Sequence, residues 1–256
     1  MLRVLFAFLA VFASVAQAAD RLVTIDTRPG VKVGYFWMER PNAKATIVLL
    51  PGGEGGLGMK DGVPMSQNFL TRSRDLFADA GYNVAVVGKP SDHNNLDSYF
   101  RSTDDHIADL RAVVEKLMGF GKPIWLVGTS LGTISAAAAA SAQPPMPLAG
   151  IALTSSVTTT TRSVRFTVPM LPLANIKVPV LVMHHKSDQC VACVPDEAHR
   201  IADAITNAPV KKLLFVEGGS RFPTGDPCEA LHWHGYIGME TEAVGAITGW
   251  IADPKP

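Results

Sequence analysis

From Leu22 onward, short apolar runs alternate with longer segments whose apolar positions recur every three or four residues. Leu22 to Ile25 and Val31 to Trp37 read as an opening antiparallel hairpin or meander, and Ala45 to Leu50 is a continuous apolar run of the kind buried on both faces of a parallel sheet. Phe69, Ser73, Leu76, Phe77 and Ala80 mark one helical face, closed by Gly81 before a strand from Tyr82 to Val87. A second helix carries Ile107, Leu110, Val114 and Leu117 at helical spacing, with N-cap candidates in Ser102 to Asp105 and a stop at Gly119 and Gly121. Pro123 to Val127 is the next strand, followed by a small-residue helix from Thr133 to Ala142. Leu148 to Leu153 and Val178 to His184 are further strands. Asp196 to Thr206 reads as a helix with Ile201, Ala202 and Ile205 inward, Lys211 to Val216 as a strand, and Glu240 to Ala252 as a closing helix with Val244, Ile247 and Ile251 inward. Strands alternating with helices predict an open, mostly parallel α/β sheet with its functional groups at the carboxyl ends of the strands. The connection of about 25 residues between Leu153 and Val178 has no amphipathic helix, so a large lid is not expected.

Composition narrows the class of partner. The chain has 256 residues, 47% hydrophobic and 18% charged, which suits a single well-buried core from residue 19 to residue 256. Lysine plus arginine and aspartate plus glutamate balance at 23 each, so no basic field draws nucleic acid and the expected partner is a small molecule. At the N-terminus, Arg3 precedes the apolar run Val4 to Val15, and Ala16-Gln17-Ala18 supplies the small side chains that a signal peptidase admits. Residues 1–18 therefore read as a signal peptide cleaved after Ala18, with export to the periplasm or beyond. The run is shorter than the roughly 20 residues of a spanning helix, so no stable membrane anchor is expected.

The chemistry centres on Ser130. The strand Pro123 to Val127 runs directly into Gly128-Thr129-Ser130-Leu131-Gly132 and then into a helix, the strand, sharp turn and helix that expose a nucleophilic hydroxyl. Glycines flank the serine because a larger side chain there would collide with the neighbouring strand or helix. Asp188 follows the strand Val178 to His184, and His234 lies on the long loop after Lys211 to Val216. The chain order is Ser130, Asp188, His234, unlike the orders of the two major serine protease folds.

On these residues the chain resembles the α/β-hydrolase family, in particular its small, exported, esterase-like serine hydrolases. The resemblance implies an α/β-hydrolase fold with a short lid or none and a serine, histidine and aspartate triad that needs no cofactor. It also implies an acyl substrate, most simply a small or medium carboxylic ester. The acid is assigned to Asp188 because the family places it shortly before a Val-Pro pair, here Val194-Pro195. Asp196 and Asp226 are alternatives, the first reading as a helix start and the second as a turn residue. His232 and His234 both fall in the late loop; the family's base often precedes a glycine and an aromatic, which points to His234 before Gly235-Tyr236. The oxyanion donors implied are the Leu131 amide and an amide of the turn Pro51-Gly52-Gly53-Glu54, Gly53 first and Glu54 second. The resemblance also pairs Cys190 with Cys228, which would tie the acid loop to the histidine loop and leave Cys193 over. Peptidase and thioesterase chemistry need the same triad, and a noncatalytic binding protein on this fold is the alternative from another class.

Other motifs compete. Gly53-Glu54-Gly55-Gly56-Leu57-Gly58 satisfies the dinucleotide-binding pattern after a strand, but Asp61-Gly62-Val63-Pro64 breaks the helix a phosphate cradle would need, and Asp92 comes too late for the ribose acid. Cys190-Val191-Ala192-Cys193 could form a redox pair or, with Cys228 and a histidine, a zinc site, yet it lacks a second Cys-x-x-Cys. His184 and His185 are expected to shape the pocket through hydrogen bonds. His93 and His106 are expected to be surface or capping residues, Asp92 a turn residue, and Arg72 and Arg74 structural or surface residues.

Overall fold

A computed structural model describes residues 19–256. The expected leader and its cleavage point fall on residues 1–18, outside the described residues. Strands β1 (Arg21–Arg28), β2 (Val31–Met38) and β3 (Thr46–Leu50) open the chain, followed by a small hairpin of β4 (Met59–Lys60) and β5 (Val63–Pro64). Helices α1 (Phe69–Arg72) and α2 (Arg74–Asp79), strand β6 (Asn83–Pro90), helix α3 (Asp104–Met118), strand β7 (Ile124–Thr129) and helix α4 (Gly132–Ser141) come next. Strands β8 (Gly150–Thr154) and β9 (Val180–His185), helix α5 (Ala198–Ala204), strand β10 (Lys211–Val216) and helix α6 (Glu240–Ala252) complete the order.

Eight of these strands form one sheet in the order β1-β2-β6-β3-β7-β8-β9-β10. The first two pairings, β1 with β2 and β2 with β6, are antiparallel; every later pairing is parallel. Because successive strand residues face opposite sides, β3 sends Val48 and Leu50 into one core and Ile47 and Leu49 into the other. The first core receives Leu110, Val113, Val114 and Leu117 of α3, Ile134 of α4 and Ile201 of α5. The second receives Phe69 of α1, Phe77 of α2 and Val244, Ile247 and Ile251 of α6. Helices thus cover both faces, which is why the central strands are apolar without alternation.

Two helices differ from the periodic reading. The single helix expected from Phe69 to Ala80 is two, because Ser73 (φ −97°, ψ 6°) steps out of the helical well between α1 and α2. The apolar spacing survives the break because Phe69, Leu70, Phe77 and Ala78 all remain buried. Gly81, at φ +89°, closes α2 as expected. The helix expected over Asp196 to Thr206 begins as a 3-10 turn at Pro195–Glu197 and is α-helical only over α5; Ile205 still reaches the core from its C-cap. The connection between β8 and β9 holds two 3-10 turns, Val168–Met170 and Leu173–Asn175, in keeping with the expected lack of a large lid. Among the described residues no helix is long and apolar enough to cross a membrane.

β8 begins at a point of close contact with its neighbour. A Cβ on Gly150 would lie 2.1 Å from Cζ3 of Trp125, whose ring is itself packed edge-on against Trp250 at 5.9 Å. Gly150→Ala is therefore expected to lower unfolding stability by about 1–3 kcal/mol, read from urea denaturation. An unchanged midpoint would show that the two indoles yield freely.

Candidate functional site

Ser130 sits at the tip of the turn between β7 and α4 with φ +53°, a left-handed conformation that costs a non-glycine residue on the order of 1–3 kcal/mol. Packing imposes it. A Cβ on Gly128 would come within 2.4 Å of the Gly132 carbonyl oxygen, and one on Gly132 within 1.9 Å of the Leu50 oxygen. The chain can therefore turn this tightly against the end of β3 only with hydrogen at both positions. The Ser130 amide donates to Thr154 O at 3.0 Å, and the Ser130 carbonyl accepts from the amide and the hydroxyl of Thr133, at 2.9 and 2.6 Å.

The expected acid and base meet. His234 Nδ1 lies 2.8 Å from Asp188 Oδ2, both side chains being buried. Asp188 leaves the end of β9 in a tight turn, its amide donating to His185 O at 3.0 Å, and its other oxygen accepts from the Cys190 amide at 2.9 Å. With both oxygens occupied the carboxylate has one orientation. His234 lies in a 3-10 turn, Trp233–Gly235, held from three sides. Ser155 Oγ donates to His234 O at 2.9 Å, Arg72 donates to Gly235 O at 2.5 Å while pairing with Glu240 at 2.8 Å, and the Tyr236 hydroxyl donates to Met183 O at 3.1 Å. Of the structural and surface readings of Arg72, the structural one holds, and the side chain ties down the loop that carries His234. His232 is buried edge-on against Trp233, is not joined to Asp188, and does not line the cavity described below.

His234 Nε2, on the far side of the ring from Asp188, is buried and, among the described residues, bonds to no protein group. His234 lines a cavity of about 640 Å³ that Ser130 also lines, together with Gly53, Glu54, Leu131, Cys193 and Val157. The Ser130 hydroxyl is not hydrogen-bonded to Nε2. Burial pushes the Cys193 thiol well above its ordinary pKa, reinforced by the charge of Asp188 and opposed by the nearby Ser130 hydroxyl, so Cys193 is a neutral thiol. Among the described residues, the amides of Leu131, Gly53 and Glu54 donate to no other protein group. They are the three amides singled out in the sequence as oxyanion donors.

Cys190 is disulfide-bonded to Cys228, across a separation of 38 residues, and Cys193 is the buried free cysteine. The bond links the turn after Asp188 to the loop that leads into His234. The ligand atoms of Cys190, Cys193 and His234 lie within 4.8 Å of one another, but Cys190 is spent in the disulfide, so the group offers one thiol and one imidazole, short of a zinc shell. The glycine-rich Gly53 to Gly58 segment runs into the β4–β5 hairpin instead of opening a helix.

Several residues behave differently from their sequence reading. His106 is buried rather than superficial: its Nε2 lies 2.9 Å from Ser135 Oγ, and burial, with nearby Arg101, lowers its pKa to about 3. His184 and His185 are hydrogen-bonded as expected, but neither lines the cavity. His184 Nε2 accepts from the Ser156 amide at 2.9 Å, and burial lowers its pKa to about 4. His185 Nδ1 accepts from the Ser187 amide at 3.0 Å. Asp92 pairs with Arg28, which also grips Asp109 of α3. Arg101 went unnoticed in the sequence; it is 1% exposed and donates to Pro51 O at 3.1 Å and to Gly53 O at 3.0 Å, beneath the turn that carries the free amides. An isolated arginine in a polar stretch gives no sign of burial.

In sequence, no family model and no curated protein matches the chain. In fold it is similar to dienelactone hydrolase from Anabaena variabilis, with a TM-score of 0.65 at 14% identity over 92% of this chain and 98% of that one. It is similar to an esterase from Pyrococcus furiosus, with a TM-score of 0.66 at 15% identity over 91% of each chain. It is also similar to an α/β serine hydrolase without lid from Xanthomonas campestris, with a TM-score of 0.58 at 16% identity over 96% of this chain and 98% of that one.

Two consequences are measurable. Cys228→Ser, by opening a loop of 38 residues, is expected to cost about 3–4 kcal/mol of unfolding stability in the chain-entropy account. A calorimetric midpoint equal to that of the wild type would contradict this. His106 and His184 are neutral when folded, with pKa values of about 3 and about 4, below the unfolded value. In that window the unfolded chain binds more protons, so their contribution is complete above about pH 6.5 and declines as pH falls below it, by up to about 1.4 kcal/mol per pH unit for each. Urea midpoints between pH 7 and 4.5 should therefore fall less steeply in His184→Gln than in the wild type; equal slopes would refute the assignment.

Proposed function

We propose that this chain, which has the α/β-hydrolase fold, is an exported serine hydrolase that forms an acyl-enzyme on Ser130 and acts on carboxylic esters of small to medium size. The observation that carries the reading is the His234 Nδ1 to Asp188 Oδ2 contact of 2.8 Å, with the opposite ring nitrogen unpartnered among the described residues and His234 and Ser130 lining one cavity. Rotation of the Ser130 hydroxyl towards Nε2 would complete the relay, a tightening that commonly comes with substrate.

In this mechanism Ser130 Oγ attacks the ester carbonyl carbon while His234 Nε2 takes its proton. Asp188 holds the imidazole with Nδ1 protonated and Nε2 free, and stabilises the imidazolium without itself taking the proton. The carbonyl oxygen, now negative, is met by the Leu131 amide and by an amide of the Gly53–Glu54 turn, groups already oriented before the reaction. Collapse expels the alcohol, protonated by His234, and leaves the acyl group on Ser130. Water, activated by the same imidazole, then reverses the steps and frees the acid. No cofactor is needed. The leader read at residues 1–18 and the Cys190–Cys228 disulfide support export to an oxidising compartment. The lack of a helical cap between β8 and β9 supports soluble esters over interfacial lipid.

A fluorophosphonate probe is expected to label the wild type and not Ser130→Ala, and Asp188→Asn to lower kcat by about 10⁴-fold by favouring the wrong tautomer. Labelling that persists in Ser130→Ala would remove the serine from the mechanism. Folded wild type that takes no label would leave a noncatalytic binding protein. Across nitrophenyl esters of increasing acyl length, kcat/KM is expected to peak at short chains; a long-chain optimum would contradict the open site.

A further inference from the structure

The guanidinium of Arg101 is buried. Among the described residues it forms no salt bridge; Asp97, whose charge it feels, accepts instead from the Tyr99 and Phe100 amides at 2.8 and 2.9 Å. Its donors go to neutral acceptors: Nε to Leu96 O at 2.8 Å, Nη1 to Ser135 Oγ at 3.0 Å, and Nη2 to Pro51 O and Gly53 O at 3.1 and 3.0 Å. Burial lowers the guanidinium's pKa from its ordinary value, yet an arginine remains a cation in a protein, so a positive charge is held inside the fold. Uncompensated burial of a charge is costly, and it persists where the surroundings are built around it.

What surrounds it is the turn that carries the free amides. A peptide group is planar and trans, so fixing its carbonyl fixes the N–H across the same plane. Arg101 holds Gly53 O, which sets the Glu54 N–H, and Pro51 O, which sets the Gly52 N–H. The plane between them is pinned by the Gly55 amide donating to Gly52 O at 3.2 Å, which sets the Gly53 N–H. The turn is also tied to the loop beneath, where the Leu96 amide donates to Glu54 O at 3.1 Å, and is closed in there: a Cβ on Gly55 would lie 2.6 Å from Leu96 Cδ1 and 3.2 Å from Arg101 Nη2. Through Ser135 the same guanidinium grips α4, the helix that begins just after Ser130, and His106 braces Ser135 from the other side at 2.9 Å.

We propose that Arg101 is the positioning residue of the oxyanion hole: from beneath, it fixes the amides of the Pro51–Glu54 turn and registers that turn with α4, the helix that follows the Ser130 turn. This rests on the serine hydrolase reading and goes beyond it by naming what orients the second donor. Arg101 touches neither substrate nor reacting atoms. Its effect falls on the transition state, where the carbonyl oxygen becomes negative, and the unneutralised charge adds to the attraction there.

The test compares Arg101→Lys, Arg101→Met and Ser135→Ala with the wild type, using a short nitrophenyl ester and a trifluoromethyl ketone, whose tetrahedral adduct presents an oxyanion. The expected result is a kcat about 100-fold lower in Arg101→Met, with a KM within about 3-fold of the wild type. The ketone's inhibition constant is expected to rise in proportion to the fall in kcat/KM. Arg101→Lys keeps the charge but not the fork and should fall between, and Ser135→Ala should lose a few-fold with the same pattern. If Arg101→Met does not fold, the lysine and Ser135 variants carry the comparison. Folded variants with unchanged kcat and unchanged ketone affinity overturn the proposal, as does a lower thermal midpoint with no change in kcat. Probe labelling of the wild type separates the two claims: labelled wild type with fully active Arg101 variants defeats only the positioning role, whereas unlabelled wild type defeats both.

Discussion

Backbone meets backbone where β3 and β7 end, and the rest of the site depends on that contact. Three glycines permit it: a Cβ on Gly132 would lie 1.9 Å from Leu50 O, on Gly128 2.4 Å from Gly132 O, and on Gly52 2.7 Å from Ser130 Cβ. Adjacent parallel strands are spaced by their hydrogen bonds, so the turns that leave them are brought side by side by the sheet itself. With no side chains between them, the turn after β3 and the elbow after β7 become one surface. Ser130 takes its positive φ at that approach, and the amides of Gly53, Glu54 and Leu131, which donate to no other described group, flank it.

The two sides of this surface are stabilised by different means. On the side of the Pro51–Glu54 turn, a buried cation spends four of its donors on neutral oxygens and holds a glycine-rich turn that would otherwise have wide conformational freedom. On the side of Asp188 and His234 the loops are longer, and they are held by covalent and polar ties: the Cys190–Cys228 bond, the Ser155 and Arg72 bonds to the backbone at His234 and Gly235, and the paired oxygens of Asp188. Among the described residues Nε2 of His234, the atom that the proposed mechanism asks to accept a proton, has no partner. Unmet hydrogen-bonding capacity in a buried site is costly, and here it belongs to a residue that lines a cavity able to admit a substrate.

The sheet and the elbow were legible because their signals are local. The run Ala45 to Leu50, the strand into Gly128-Thr129-Ser130-Leu131-Gly132, and the periodic face of α3 each state their structure within a dozen residues. The Asp188 and His234 pairing needed the resemblance as well, since 46 residues and a loop separate them. The choice of His234 over His232 likewise rested on the resemblance, a base before a glycine and an aromatic, because the one-turn 3-10 segment that carries His234 is announced by no periodicity. Arg101 and His106 were missed for a different reason: their meaning lies in Ser135, Pro51 and Gly53, which are remote in the chain and neutral, so no charge pattern marks the partnership. The break at Ser73 was invisible because both short helices keep the same face towards the core.

The most direct measurement of the central claim is the crystal structure of the protein after reaction with a phosphonate ester. The account predicts a covalent bond from phosphorus to Ser130 Oγ, with the phosphoryl oxygen within hydrogen-bonding distance of the Leu131 amide and of the Gly53 or Glu54 amide, and His234 Nε2 facing the serine oxygen. A phosphonate attached elsewhere, or one on Ser130 whose phosphoryl oxygen points away from both turns, would contradict it.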